Sequence, residues 1–159
     1  MTLLDKESVK RVEKCLKEFD QTQKVIILDS SARTASDAAS SLSCKIGAIV
    51  KSLLFKTENN FILCLIAGDK KASLIKIKKM LNIKDVSMSS ADDVKNITGF
   101  TIGGVSPIGH LNKIDIFIDN SLERFTSLFA AAGHPNCIFK ISFTDLQKIT
   151  NGSIKDIIE

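Results

Sequence analysis

Ile49-Val50-Lys51-Ser52-Leu53-Leu54-Phe55-Lys56, Thr57-Glu58-Asn59-Asn60 and Phe61-Ile62-Leu63-Cys64-Leu65-Ile66-Ala67 are three consecutive segments, apolar, polar and apolar. Two apolar runs of strand length joined by a short polar turn read as a β-hairpin. Lys51 interrupts the first run. Alternation points it with Leu53 and Phe55 and sends Val50, Ser52 and Leu54 the other way, so its neighbours are apolar on either assignment. A lysine so placed snorkels to the surface, pairs with a carboxylate, occupies a functional pocket or protects a sheet edge.

Upstream of the hairpin, Val9, Val12, Leu16 and Phe19 recur at helical spacing among charged residues and predict an amphipathic first helix. Val25 to Leu28 predicts a short buried strand, and Asp29-Ser30-Ser31-Ala32 a turn. Thr34-x-x-Asp37 is a capping-box variant that opens a second helix with Ala35, Ala38, Ala39 and Leu42 on one face. Downstream, Ser73 to Leu81 predicts a lysine-rich helix with Leu74, Ile77 and Leu81 inward. Asp85 to Met88 predicts a short strand, and Ser90-x-x-Asp93 caps a brief helix through Ile97. Strands follow over Ile114 to Asp119, Phe125 to Ala131 and Cys137 to Ile141, and Ser142-x-x-Asp145 caps a last helix through Ile149. Hairpins and helices interleave without strict βα alternation. This order predicts an α+β fold with a mixed, curved sheet, in one domain over residues 1–159.

The second stretch of defined shape is Gly99-Phe100-Thr101-Ile102-Gly103-Gly104-Val105-Ser106-Pro107-Ile108-Gly109. Glycine serves where the backbone takes positive φ or a ligand approaches closely, and Pro107 forces Ser106 out of the α region. Such a loop can aim several backbone N–H groups at an oxyanion or carbonyl oxygen. It can equally be a tight connection between elements. Gly133-His134-Pro135-Asn136 reads as a second rigid turn after a strand.

Composition narrows the function class. Hydrophobic residues make up 44% and charged residues 25%, with a net charge of +4, an ordinary globular balance. No apolar run reaches membrane-spanning length, and the N-terminus lacks a basic region followed by an apolar block, so a cytoplasmic protein is expected. Cys15, Cys44, Cys64 and Cys137 are far apart with no C-x-x-C, and Cys64 and Cys137 read as small buried hydrophobes of a reducing compartment. His110 and His134 stand in no metal-binding spacing, and neither a G-x-S-x-G elbow nor a P-loop occurs. No metal and no cofactor are therefore expected. Lys70, Lys71, Lys76, Lys78, Lys79 and Lys84 crowd together, either as a nucleic-acid contact or as a solvated face.

Five motifs then occur in order. They are Thr34-Ala35-x-x-Ala38-Ala39, Ile49-Val50-Lys51-Ser52-Leu53, Ala67-Gly68-Asp69-Lys70, Gly99-x-x-x-Gly103-Gly104-Val105-Ser106-Pro107-x-Gly109 and Ala132-Gly133-His134-Pro135. Together they resemble the YbaK/ProX family, free-standing relatives of the editing domain of bacterial prolyl-tRNA synthetases, over about residues 22–150. The resemblance implies a mixed sheet curling into a partly closed barrel with helices outside. It implies a trans-acting aminoacyl-tRNA deacylase that hydrolyses the ester of mischarged tRNA, such as tRNA for proline carrying alanine, cysteine or another small amino acid. Lys51 matches the family's essential lysine, and Gly103, Gly104 and Ser106 its backbone-donor loop, with Pro107 beside them. Gly133, His134 and Pro135 match the substrate-pocket loop, and Thr34 opens the first motif.

The implied partners are mischarged aminoacyl-tRNA, contacted through Lys70, Lys71, Lys76, Lys78 and Lys79, and a prolyl-tRNA synthetase, with no membrane and no DNA. Two alternatives stay open at this point: a non-catalytic tRNA- or synthetase-binding module of the same fold, and a hydrolase of another small ester. An activated ester needs a positioned water and a site for the developing oxyanion, and no protein nucleophile.

Overall fold

The computed structural model describes residues 2–29 and 34–159. The turn expected at Asp29–Ala32 lies, apart from Asp29, outside the described residues. The hairpin forms the spine of the sheet. β2 (Ile49–Thr57) and β3 (Phe61–Ala67) pair antiparallel from Val50↔Ala67 to Lys56↔Phe61. Their turn is closed by the Thr57 N–H donating to the Asn60 carbonyl at 2.8 Å.

The remaining strands are β1 (Ile26–Ile27), β4 (Val86–Met88), β5 (Asp115–Asp119), β6 (Leu128–His134), β7 (Cys137–Ile141) and β8 (Ser153–Lys155). They complete an eight-stranded sheet of order β1-β7-β6-β2-β3-β5-β8, with β4 attached to β2 off this path. The β2–β6, β3–β5 and β5–β8 pairs are parallel, so the sheet is mixed, as expected. It stays open, with β1 and β8 at its ends.

Among the described residues five helices flank the sheet: α1 (Glu7–Phe19), α2 (Ala35–Leu42), α3 (Leu74–Leu81), α4 (Ala91–Thr98) and α5 (Phe143–Thr150). On one side Val9, Val12 and Leu16 of α1 join Val50, Leu54, Leu63 and Leu65 in the main core. On the other, Ile77 of α3 packs with Phe55, Ile62, Cys64 and Ile66. β3 is therefore covered on both faces, which explains why its sequence is a continuous apolar run. The caps read from sequence form. Thr34, Ser73, Ser90 and Ser142 each accept a backbone N–H three residues on, from Asp37, Lys76, Asp93 and Asp145, at 3.1–3.2 Å.

Three features depart from expectation, and the first is Leu74 of α3, expected inward but exposed at the start of the helix. The strand expected over Phe125–Ala131 begins instead at Leu128 and runs through His134. The cause is a 3₁₀ turn over Asn120–Arg124, capped by Asp119 and closed by Phe125 at its C-cap, which delays the strand. Gly133 and His134 are consequently strand residues, and the turn that follows is only Pro135-Asn136. The last departure is β8, which carries no apolar signal because all three of its residues are exposed.

What holds the C-terminus there is Asp119, fully buried at the end of β5. Its carboxylate accepts the Ile157 N–H at 2.9 Å, the Ser121 N–H at 2.9 Å and the Ser121 hydroxyl. Removing it orphans one buried and one part-buried backbone donor. Asp119→Ala is expected to lower the unfolding free energy by about 1–3 kcal/mol in a urea titration and to speed amide exchange at Ile157.

Candidate active site

β2 has two hydrogen-bonding edges, and only one is filled along its length. The ladder to β6 comprises Ile49↔Phe129 and Val50↔Ala130 and then ends. The ladder to β4 begins at Phe55↔Met88, extended one step by the Ser89 N–H donating to the Leu54 carbonyl at 3.1 Å. Between them, residues 51–53 have no strand partner on that side. Gly68 bonds the Ile49 carbonyl and Asn60 bonds Thr57, so the odd-numbered residues of β2 turn their polar groups to β3. Alternation leaves the Ser52 N–H and C=O aimed into the opening.

A cavity of about 390 Å³ fills this gap. Its walls are Lys51, Ser52 and Leu53 of β2, Ala35 and Ala38 of α2 with Thr34 at its cap, Gly103 and Val105 of the glycine-rich loop, and Phe129, Ala131 and Pro135 on the β6 side. Volume and apolar lining are those of a small-ligand site.

Lys51 is half-buried, and its Nζ donates to the Lys70 carbonyl oxygen. Burial holds this amine below the ordinary lysine range; the Asp69 carboxylate acts against the shift and Lys71 adds to it. Asp69 is itself occupied, gripped by Arg124 through two bonds of 2.8 and 3.0 Å that keep its carboxyl below the usual range. Lys51 is thus neither an edge guard, since β2 is interior to the sheet, nor the partner of a dedicated carboxylate. It sits on the cavity wall as a cation whose nearest anion is already paired.

The glycine-rich loop is fixed from behind. Gly99 (φ 81°) ends α4 in the left-handed region, and Arg11 of α1 donates to the Gly99 carbonyl at 2.9 Å and the Gly109 carbonyl at 3.1 Å. Its guanidinium lies 5.0 Å from the Phe100 ring centroid. His110 Nε2 donates to the Ser106 carbonyl at 2.7 Å, and the Ser106 hydroxyl accepts the Ile108 N–H at 3.3 Å. Burial holds the His110 pKa below its ordinary value, with the Ser106 carbonyl acting against that shift and Arg11 adding to it.

The cavity brings together Thr34, Lys51, Gly103 and Pro135 from the sequence-predicted site. Gly104, Ser106, Pro107, Gly133 and His134 lie behind the wall instead. The Gly104 N–H is spent on the Thr101 carbonyl at 3.0 Å, so it does not serve as an oxyanion donor. A Cβ there would meet the His134 backbone at 2.9 Å, which explains the glycine by packing. Gly133 (φ 91°) lies against Ser8 of α1, and His134 Nδ1 accepts the Asn136 N–H at 3.0 Å. Ser106 and Pro107 are buried loop-shapers.

Sequence reasoning missed Ser52, Ser89 and Arg11. Ser52 was visible as a polar residue in an apolar run, whereas Arg11 looks like any charge on an amphipathic helix. Cys137 also lines the cavity, but burial raises its thiol pKa and keeps it protonated, while Cys64 is pushed up to about 12. Among the described residues no three His, Cys, Asp or Glu side chains come together as metal ligands. Of the lysine cluster, Lys71 and Lys79 are exposed and Lys76 is paired with Asp156 at 2.9 Å.

Residues 29–149 match a family described as the aminoacyl-tRNA editing domain. The proline–tRNA ligase of Caldicellulosiruptor bescii is 28% identical over 83% of the chain, which spans about a quarter (24%) of that ligase. Protein YwhH of Bacillus subtilis, itself uncharacterised, is 28% identical over 90% of the chain and 91% of its own length. A crystal structure described as a candidate trans-editing enzyme for prolyl tRNA synthetase superposes with a TM-score of 0.91 at 31% identity, covering 97% of this chain and 98% of that one.

The packing account of Gly104 has its own test. Gly104→Ala is expected to lower stability by about 1–3 kcal/mol in chemical denaturation, because the added methyl meets backbone that has no rotamer to change.

Proposed function

The chain belongs to the aminoacyl-tRNA editing domain family, and from that premise we propose that it is a trans-acting, cytoplasmic deacylase that hydrolyses the ester of mischarged tRNA, with tRNA for proline as the substrate class. One observation carries this reading: the cavity opens where β2 lacks a strand partner, with Lys51 on one wall and Gly103 on another. The near-complete coverage of a chain described as a candidate trans-editing enzyme for prolyl tRNA synthetase supports action in trans.

The reaction needs water, an oriented carbonyl and a place for negative charge. Water attacks the ester carbonyl carbon, and the bond to the ribose oxygen breaks. The water's proton ends on that oxygen, releasing tRNA and the free amino acid. Lys51 stands on the wall as a compact cation able to hold a phosphate or the developing oxyanion. Gly103, whose φ of 95° presents backbone without a side chain at the wall, supplies the close approach. Neither serine nor cysteine is needed as nucleophile. Such a second site is required because a synthetase pocket rejects a smaller side chain by only about 1–3 kcal/mol.

The basic turn and helix beside the cavity extend this reading to tRNA. Lys71 is close enough to Lys51 to disfavour its charge, so the cluster begins at the site itself. Phosphate contacts release counterions, which makes binding salt-dependent.

Three outcomes are expected. Lys51→Met folds with a melting temperature at or above wild type, because a desolvated amine is replaced by an apolar chain, while deacylation of mischarged tRNA falls by at least about 10²-fold. Turnover near wild type by the folded variant would remove Lys51 from the mechanism. Because burial lowers the Lys51 pKa, its proton leaves at lower pH than an ordinary lysine's. The rate, corrected for spontaneous hydrolysis, should therefore decline with rising pH before an ordinary lysine titrates, and Lys51→Met should lack that decline. Lys71→Gln and Lys79→Gln should each lower the salt slope of tRNA binding by about one, and Lys76→Gln by less, since Asp156 already neutralises it.

A further inference from the structure

Two serines of the cavity wall carry hydroxyls that have no partner. Ser52 Oγ and Ser89 Oγ are both inaccessible to solvent and find no hydrogen-bond acceptor or donor among the described protein groups. Buried hydroxyls are ordinarily satisfied, and two orphans on one cavity are a departure from that rule. They also share a face. The β4 register runs Thr57↔Val86, Lys56↔Ser87, Phe55↔Met88, and the Ser89 N–H bond to Leu54 continues it by one step. Ser89 thus lies opposite Leu54, and Ser52, two residues away on β2, points to that side. Such diagonal neighbours have Cβ atoms about 7 Å apart, a span that one small polar group between them bridges.

Their surroundings restrict what that group is. Val50 and Leu54 flank Ser52 on the same face, both nearly inaccessible, and Val94 and Val105 line the same cavity. No Asp or Glu is among the described wall residues. An ammonium here would be desolvated without a counter-charge, which is costly, while a neutral hydroxyl both donates and accepts and satisfies both serines. A thiol is a weaker donor, and an alanyl or prolyl side chain offers neither donor nor acceptor.

We propose that Ser52 and Ser89 are specificity-determining residues that select an aminoacyl ester whose side chain carries a hydroxyl, as in serine or threonine. The proposal rests on the deacylase reading above and names the substrate class of that site. A site built to hydrogen-bond a substrate hydroxyl discriminates strongly against the analogue lacking it, because its own polar groups are then left unpaired. The same pair would spare correctly charged prolyl-tRNA.

The test compares hydrolysis of seryl-, threonyl- and alanyl-tRNA for proline by the wild-type protein, Ser52→Ala, Ser89→Ala and the double variant. Both substitutions remove an orphaned hydroxyl, so thermal stability should be equal to or above wild type. Wild type should favour a hydroxylated ester over the alanyl ester by at least about tenfold in kcat/KM. The double variant should lose at least about tenfold on the hydroxylated esters and less than about threefold on the alanyl ester. An equal loss on all three esters would assign the hydroxyls to the common part of the substrate, and an unchanged ratio would assign them no role; either overturns the proposal. If wild type cleaves none of the three esters, the deacylase reading fails separately. Calorimetric binding of the 3′-seryl and 3′-alanyl amides of adenosine then decides the pocket. Tenfold tighter seryl binding that the double variant abolishes upholds the assignment, and equal or undetectable binding of the two refutes it.

Discussion

An interrupted ladder is the constraint on which the site depends. β2 is fully paired with β3 on one edge, but β6 leaves it after Val50 and β4 joins it only at Phe55, with Ser89 bonding Leu54. Backbone polar groups in a covered sheet ordinarily have strand partners. Here the Ser52 N–H and C=O face a cavity instead. The opening is walled by α2 with its Thr34 cap, by α4 through Val94, and by the loop that follows α4. Arg11 holds that loop by both ends, at Gly99 and Gly109, so the roof of the cavity is anchored to α1 and through it to the main core.

The electrostatics follow from the same geometry. Lys51 is placed on the wall by β2, and the turn after β3 brings Lys70, Asp69 and Lys71 to it. Asp69 is committed to Arg124 in a two-bond fork and cannot quench the amine fully. A cation that is partly desolvated, bonded to one carbonyl and unmatched by a private carboxylate remains available to an incoming negative charge. That availability, rather than any nucleophile, is what the cavity offers to ester hydrolysis.

Much of this was legible in the residues. The hairpin, the caps at Thr34, Ser73, Ser90 and Ser142, and the buried Cys64 follow from periodicity and from local hydrogen-bonding chemistry acting over a few residues. Lys51 was visible because a charge in an apolar strand demands a reason. What stayed hidden depends on contacts distant in sequence. Gly104 reads as a donor until the His134 backbone is seen against it, and Arg11 reads as solvated until Gly99 and Gly109 come to meet it. β8 has no apolar alternation, since Asp119 anchors the chain beyond it from outside the segment. The gap in the β2 ladder is a property of three strands together, and no window of sequence contains it.

The central claim is that the gap beside β2 receives the aminoacyl end of tRNA. A crystal structure with a non-hydrolysable 3′-aminoacylamide of adenosine tests it most directly. The account predicts the amide in the cavity, its carbonyl oxygen within hydrogen-bond distance of the Lys51 amine or the Gly103 N–H. An analogue seated elsewhere, such as the open groove beside Phe143 and Gln147, with the β2 cavity empty, would contradict it.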